Sequence, residues 1–586
     1  MDWSLVEKQK WLLASLAIVF FLSLSPVFQI LLSGVGWQGM PHADNYYSAR
    51  MREVADGYPL LGNPHFFEHR EEIAPAFFVP DVVSALPIVA GLPLSITHLV
   101  NFTLWSLVFA LLLFALLRRL GLSFAWSAIA AALSYVQMYF QIARPVSMQL
   151  VHPVFILFLI AFFVWLENPK RTRAALYLAL ATALTFYTYQ YLWQLVVVFL
   201  GLVALYLLLQ RDWERLAPYF RAGIYTTLFM VPAGVLTFLQ LTHPFYLETM
   251  LRVGLGYTHL PSGEVFLMGA HILPLVLLAL LSIRWVLPQI AVREKSLLLL
   301  LVLFGTALVI TSASNVVTGL DLETASHITR LASLWLIIAT ATALYYLFRA
   351  RERLFALERW KKLCISLLVL LTFVTNLTYT PDLRGMFGTK EQIVALQDIA
   401  GLVPALEWLD EHEQEPIVVW ADPRSKLAVY VPIYTKHYVL FEATGMLNLV
   451  SDDEVQERYL AASSLSDLTR EKIAQDVWYF AGAGYAKDTP NTRNRSVKYC
   501  RMLRLELFGY ACGELTDSQR LYAPLYAQMW ERYISEVLPR LEDTLEKYRV
   551  SYVVKDRLRD TDFNPERLKN AELVYQDERV LLYRLN

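Results

Sequence analysis

Apolar residues form long unbroken runs over the first two thirds of the chain and short periodic clusters over the last third. An apolar run of about 20 residues crosses roughly 30 Å of hydrocarbon as an α-helix. On that rule the sequence predicts about eleven spans, at residues 11–32, 95–117, 122–140, 151–166, 174–186, 191–209, 223–241, 265–283, 297–310, 331–348 and 363–377. The first reads as a span rather than a cleaved leader, because it is long and lacks a small-residue cleavage site. Beyond it, residues 45–56 repeat Tyr47, Met51, Val54 and Ala55 at helical spacing. This predicts an amphipathic helix at the membrane surface, ended by the turn Asp56-Gly57-Tyr58-Pro59 and followed by a second turn at Gly62-Asn63-Pro64-His65.

After residue 378 the pattern changes to mixed charge and period-2 stretches, the mark of a separate domain. Helices are expected at 402–411, 452–461 and 522–548, strands at 417–420, 438–441 and 551–555, and a terminal hairpin at 572–575 and 579–583. The expected fold is a polytopic α-helical membrane domain, residues 1–378 with a first outer loop at 33–94, followed by an α/β domain, residues 379–586. Residues 482–495, rich in Gly, Pro, Asn and Thr, are expected to be a mobile loop facing the membrane domain.

Composition agrees. Hydrophobic residues are 56% of the chain and charged residues 18%, with a mean hydropathy of +0.41, so this is an integral membrane protein. A net charge of -1 gives no global basic surface, and nucleic acid is not an expected partner. Basic residues set the orientation. Arg118, Arg119, Lys170, Arg171, Arg173, Arg211, Arg215, Arg221, Arg284, Arg293, Lys295 and the cluster from Arg349 to Lys362 fall in alternate connections, whereas the opposite ones hold little beyond Arg144, Arg252 and Arg330. By the positive-inside rule the N-terminus is cytoplasmic and the first loop and C-terminal domain are extracytoplasmic. The glycosylation sequons at Asn101 and Asn376 lie in or beside spans, so a prokaryotic plasma membrane is favoured. Cys364 falls in a span, while Cys500 and Cys512 are either a disulfide or two buried thiols.

Asp44, in His42-Ala43-Asp44-Asn45-Tyr46-Tyr47, is the leading candidate for chemistry. Its bland role is to cap the helix that follows, and backbone donors there would weaken it as a base. A second constellation lies at the mouth of the tenth span, where Glu323, His327 and Arg330 share one helix face. Ionisable groups entering a bilayer are costly and are kept where they bind something or face water. Arg330 and His327 suit a lipid phosphate, the alternative being an internal pair with Glu323. Arg144 is a third candidate phosphate ligand or a side chain snorkelling to the interface. Tyr187, Tyr189, Gln190, Tyr191, Trp193 and Gln194 crowd one turn, as interfacial anchors or as a sugar-stacking wall.

These features resemble the C-type (GT-C) glycosyltransferases, multi-span enzymes that use polyprenyl-phosphate-linked sugars. The resemblance rests on Asp44-Asn45-Tyr46-Tyr47 through Arg50, Gly57 and Asn63-Pro64, with the topology. The chain has no Trp-Trp-Asp-Tyr-Gly run, unlike oligosaccharyltransferases, and no adjacent acidic pair beside Asp44, unlike protein O-mannosyltransferases and aminoarabinose transferases. The resemblance implies inverting transfer from a polyprenyl phosphate or diphosphate carrier to a glycan, lipid or protein acceptor at the outer face. Asp44 would be the base, Arg330, His327 and Arg144 would hold the donor phosphate, and His42, Tyr47, Tyr189, Gln190 and Glu323 would meet sugar or acceptor. The resemblance implies no particular cofactor. A divalent metal on Asp44 and His42, with Glu323, is a candidate on ligand type alone. The competing classes are a transporter, which should carry ionisable residues near the midplane of several spans, a non-catalytic binder of envelope glycan, and a glycan polymerase or ligase.

Overall fold

Backbone groups in hydrocarbon must be satisfied within their own segment, and each predicted span falls on helix, 11–32 and 223–241 each on a broken pair. The computed structural model describes residues 3–35, 45–286, 292–377, 383–487 and 492–586. Helix α1 (Trp3–Ser23) breaks at Leu24 and continues as α2 (Ser25–Ser33), with Pro26 in its first turn. The first loop holds α3 (Asn45–Ala55) and α4 (Val79–Val89). Then follow α5 (Leu94–Arg119), α6 (Phe124–Ala143), α7 (Ser147–Glu167), α8 (Thr172–Thr188), α9 (Gln190–Leu209), α10 (Trp213–Phe229) and α11 (Val231–Leu241). Next come α12 (Tyr246–Val253), α13 (Gly263–Leu281), α14 (Val292–Ser312), α15 (Asn315–Thr318), α16 (Thr324–Arg349), α17 (Arg351–Ala356) and α18 (Arg359–Leu377). Among the described residues seven helices are long and apolar enough to cross a membrane, or eight if α10 and α11, bent by 54°, form one span. Eleven were expected; α8, for one, has only 17 residues.

Contacts between connections sort them into two ends. At one end Arg119 pairs with Glu167 at 2.7 Å, Lys170 with Glu214 at 3.2 Å, and Trp285 meets Trp360 at 5.2 Å. These are the basic connections. At the other end Gln240 donates to Ala74 O at 2.8 Å, Asn315 donates to Thr258 O at 3.0 Å, and a two-stranded ribbon pairs β1 (Gly256–Tyr257) with β2 (Leu320–Asp321). Helices pack closely where small residues face large ones: a Cβ on Gly305 would lie 2.8 Å from the Trp335 ring.

The C-terminal domain holds α19 (Leu383–Met386), α20 (Lys390–Ala400), α21 (Val403–His412), β3 (Val418–Trp420), α22 (Lys426–Tyr434), β4 (Tyr438–Val439), α23 (Asp452–Ala462), α24 (Arg470–Gln475) and α25 (Val477–Lys487). It ends with α26 (Arg495–Met502), α27 (Ser518–Arg532), α28 (Leu541–Lys547), β5 (Val550–Asp556), β6 (Ala571–Gln576) and β7 (Val580–Leu585). The sheet order is β4-β3-β5-β7-β6. Strands β4, β3 and β5 are parallel, and β7 and β6 add an antiparallel hairpin whose turn is tied by Asp577 Oδ1 to the N–H groups of Arg579 and Val580 at 2.7 and 2.6 Å. This is the expected α/β sheet domain. Cys500 and Cys512 are joined as a disulfide.

Three expectations are corrected. The 522–548 helix is split by a π turn at Tyr533–Val537 and a 3-10 turn at Leu538–Arg540, because Pro539 lacks the N–H that a continuous helix needs. Of the expected mobile loop, the described residues from Gly482 to Lys487 continue α25 across a kink at Gly482. A Cβ there would lie 2.5 Å from Arg252 O, so the kink is a close packing of two backbones. Helix α3, expected to be amphipathic, is enclosed by protein on both sides. Ser48, Ala49, Arg50, Met51, Glu53 and Val54 are all buried, because the C-terminal domain covers one side of it and α4 and α5 the other.

Candidate active site

The first loop is positioned by contacts on every side of α3. Toward the bundle, Arg50 makes a forked pair with Asp81 at 2.9 and 3.0 Å and donates to the Tyr46 hydroxyl at 3.0 Å, and Ser48 Oγ meets His98 Nε2 at 3.2 Å. Toward the C-terminal domain, the Tyr438 hydroxyl donates to both Glu53 carboxylate oxygens at 3.1 Å. Burial pushes Glu53 up to about 8, against the pull of that hydrogen bond. After the helix, Asn63 donates to Gly445 O at 2.9 Å and Val439 N donates to His65 O at 2.9 Å. Phe66, fully buried, joins the core of the C-terminal domain. The seam is closed by His69, which meets Glu72 at 2.9 Å and Glu454 at 3.0 Å, and by Arg458, which pairs with Glu68 and Glu454.

Three separate segments converge beside α3. The Arg144 guanidinium, at the C-terminal end of α6, lies 5.4 Å from the Tyr47 ring. Tyr189, between α8 and α9, accepts a hydrogen bond from Arg330 and lies within electrostatic reach of Arg144 and Tyr47. Its hydroxyl also bonds His327 Nδ1. His327 Nε2 meets Glu323 Oε2 at 3.3 Å, and the Tyr191 ring stacks on the imidazole at 4.2 Å. A carboxylate only accepts, so Nε2 carries the proton, and Nδ1 accepts from Tyr189. Burial drives the Tyr189 hydroxyl well above its ordinary value, with Arg330 and Arg144 pulling the other way, so Tyr189 stays protonated and acts as a hydrogen-bond donor.

The backbone is strained at both flanks of this cluster. Val146, two residues after Arg144, has φ of 62°, and Glu323, the residue before α16, has φ of 52°. A β-branched residue in the left-handed region is a steric outlier, and strain of about 1–3 kcal/mol persists only where surroundings enforce it. Three side chains that sequence reasoning missed start α7: Ser147 Oγ, Gln149 Oε1 and His152 Nδ1 are buried with no hydrogen-bond partner. His152 meets Gln141 at 3.1 Å and lies within reach of the Arg330 charge. The available signal was three polar side chains at the start of an apolar span, which seldom occur there without a task.

A cavity of about 870 Å³ opens beside the cluster, between the first turns of α13 and α16 and helix α26. Its wall includes Phe266, Leu267, Tyr499 and Met502 with Asp321, Glu323, Arg495 and Lys498. It touches the cluster at Glu323. That mixture of apolar lining and a few placed charges is typical of ligand sites.

Solved structures include chains that are similar in form. The crystal structure of ArnT from Cupriavidus metallidurans in the apo state aligns over 98% of this chain and 98% of its own, with a TM-score of 0.40 and 16% identity. ArnT from the same organism bound to undecaprenyl phosphate aligns over 98% and 97%, with a TM-score of 0.39 and 15% identity. No protein-family model and no curated protein matches the sequence.

The structure thus brings Tyr47, Arg144, Tyr189, Glu323, His327 and Arg330 together. His327 departs from the expected phosphate ligand, since both ring nitrogens are taken by Tyr189 and Glu323. The expected sugar-stacking wall is also filled from within: Tyr191 covers His327, and Trp193 stacks on Phe186 at 4.9 Å. Gln190 opens α9, partly exposed beside Tyr189. His42 and Asp44, the expected ligand, base and capping residues, lie outside the described residues. Among the described residues no group of three His, Cys, Asp or Glu side chains could hold a metal ion.

Proposed function

We propose that this chain is a GT-C-type membrane glycosyltransferase that moves a sugar from a polyprenyl-phosphate or diphosphate carrier to an acceptor at the face of the membrane bearing the C-terminal domain. The observation that carries the reading is the meeting of Arg144, Arg330, Tyr189 and Tyr47, from four segments far apart in sequence, beside a cavity that reaches the bundle mouth. Two guanidiniums at the end of an apolar bundle suit a lipid phosphate, and the hydrogen-bonded Tyr189 orients one of them. In transfer they would stabilise the charge that develops on the departing phosphate. His327 is here a positioning residue, which orders Tyr189 through Nδ1 and Glu323 through Nε2.

The acceptor hydroxyl requires a base. Asp44, joined to the first residue of α3, is the proposed one, and it would take the proton as the hydroxyl attacks the anomeric carbon from the face opposite the phosphate. The C-terminal domain is proposed to be extracytoplasmic. The Cys500–Cys512 disulfide fits an oxidising compartment, and the basic connections lie at the opposite end of the bundle.

The test is sugar transfer from a panel of radiolabelled polyprenyl-phosphate sugars by purified wild type, Asp44→Asn and Arg330→Ala, each checked for folding by size exclusion in detergent. Transfer by wild type that is lost in folded variants is the expected result. Absence of transfer from every donor would sink the enzyme reading, and full activity of Asp44→Asn would remove Asp44 as the base.

A further inference from the structure

The stretch from α26 onward exposes apolar side chains that no part of the described chain covers. Met502, Leu503, Leu507, Phe508, Tyr510 and Leu515 are all exposed, Leu507 at 78% and Phe508 at 75%. A water-facing surface rarely carries such a run. Lys498, Arg501 and Arg504 are interleaved with it, and the Cys500–Cys512 disulfide closes it into a loop with Leu507 and Phe508 near its middle.

The base of this loop is fixed to the mouth of the membrane bundle. Arg495 donates to Leu260 O at 2.6 Å and pairs with Asp321 at 2.8 Å. The Tyr499 hydroxyl donates to Pro261 O at 2.9 Å, and its ring lies 6.0 Å from Phe266 in the first turn of α13. Phe266 and Leu267 are themselves exposed, and α13 is one of the helices long and apolar enough to span. The base of the loop therefore adjoins an exposed apolar face at the first turn of a helix long and apolar enough to span.

We propose that the loop closed by Cys500 and Cys512 is seated in the bilayer leaflet at the mouths of α13 and α16. Leu503, Leu507, Phe508 and Tyr510 enter the acyl region, while Lys498, Arg501 and Arg504 meet anionic headgroup phosphates. Apolar anchors with flanking cations are what binds a chain to an interface, and cations near an anionic leaflet add to it. The disulfide holds the loop in shape without a core of its own. Because Lys498, Tyr499 and Met502 also line the 870 Å³ cavity, the seated loop is a lip between leaflet and cavity, under which a lipid could pass sideways. The seating rests on α13 and α16 being spans and not on the transfer reaction.

The test uses the full chain with Cys364→Ser and a nitroxide at Leu507→Cys or, separately, Tyr510→Cys, reconstituted in nanodiscs containing phosphatidylglycerol. Both variants are exposed positions, and monodispersity is checked for each. The expected result is faster spin relaxation by dioxygen, which concentrates in hydrocarbon, than by a water-soluble nickel chelate at both sites. Dominance of the nickel chelate would place the loop in water and overturn the proposal. Exclusion of both reagents would show a protein surface over the patch and overturn it equally.

Discussion

The Tyr189 hydroxyl and His327 Nδ1 are hydrogen-bonded although 138 positions separate them in the chain. The bond joins the turn between α8 and α9 to the head of α16, and through Nε2 it reaches Glu323 at the cavity wall. Removing the Tyr189 hydroxyl takes away this bond and also the acceptor of the Arg330 hydrogen bond, whereas removing the imidazole leaves that hydroxyl unoriented. A hydrogen bond to a charged group contributes about 1.5–3 kcal/mol, so Tyr189→Phe should lower transfer roughly 10- to 100-fold. His327→Ala should fall in the same range, and the double variant should lose little more than either single one, because they act as one unit. Initial rates of the four proteins check this, and additive losses would mean that the residues work separately.

Arg330→Lys keeps the charge but not the planar fork, so it should not restore transfer. Donor titrations should show a KM rise of about ten-fold or more, the scale of one lost charge-assisted bond. Wild-type kinetics in Arg330→Lys would show that only a point charge is required there.

The seam between first loop and C-terminal domain should loosen as pH rises. Burial holds Glu53 up at about 8 from an ordinary 4.5, so between those values the folded chain binds the extra proton and stability falls with rising pH. Burial opposes the charge on His69, but Glu454 and Glu72 outweigh it and hold the ring at about 9 from an ordinary 6.5. Its contribution is complete below 6.5 and is lost as pH passes 9. The Tm in detergent should therefore drop from pH 6 to pH 9, and Glu53→Gln should reduce the drop. An identical slope in Glu53→Gln would show that this carboxyl does not titrate in the folded chain.

Phe66 should be the anchor of the first loop. It is fully buried in the C-terminal core, and a Cβ on Gly445 would lie 2.7 Å from its ring. Phe66→Ala should cost about 3–5 kcal/mol, and limited proteolysis should then cut within residues 56–75. Gly445→Ala should have the same effect by overfilling the site. Resistance of both variants to protease would show that the polar contacts hold the loop without the ring.

Arg458 is fully buried between Glu68 and Glu454 and lies 4.5 Å from the Phe66 ring. Arg458→Met should destabilise the chain, because Glu68 loses its partner and Glu454 keeps only His69. Adding Glu68→Gln should recover part of that loss. Thermal unfolding of the single and double variants distinguishes them.

Some of this was legible in the sequence and some was not. Periodicity located α5, α7, α9, α13 and α16, because an apolar run of spanning length has no other way to satisfy its backbone, and alternation located β3, β5 and the β6–β7 hairpin. Residue chemistry also marked Arg144, Tyr189, Glu323, His327 and Arg330, since charges and crowded rings at helix mouths are costly without a task. Their partners were decided only by tertiary structure. Whether His327 faces a ligand or Tyr189, which elements enclose α3, and whether Cys500 and Cys512 are joined all depend on which distant segments arrive at the same place. Local pattern reports what a residue needs from its surroundings, such as burial, a counter-charge or a hydrogen bond. Packing of the whole chain selects which neighbour supplies it, because contacts between residues far apart in sequence leave no periodic trace along either segment.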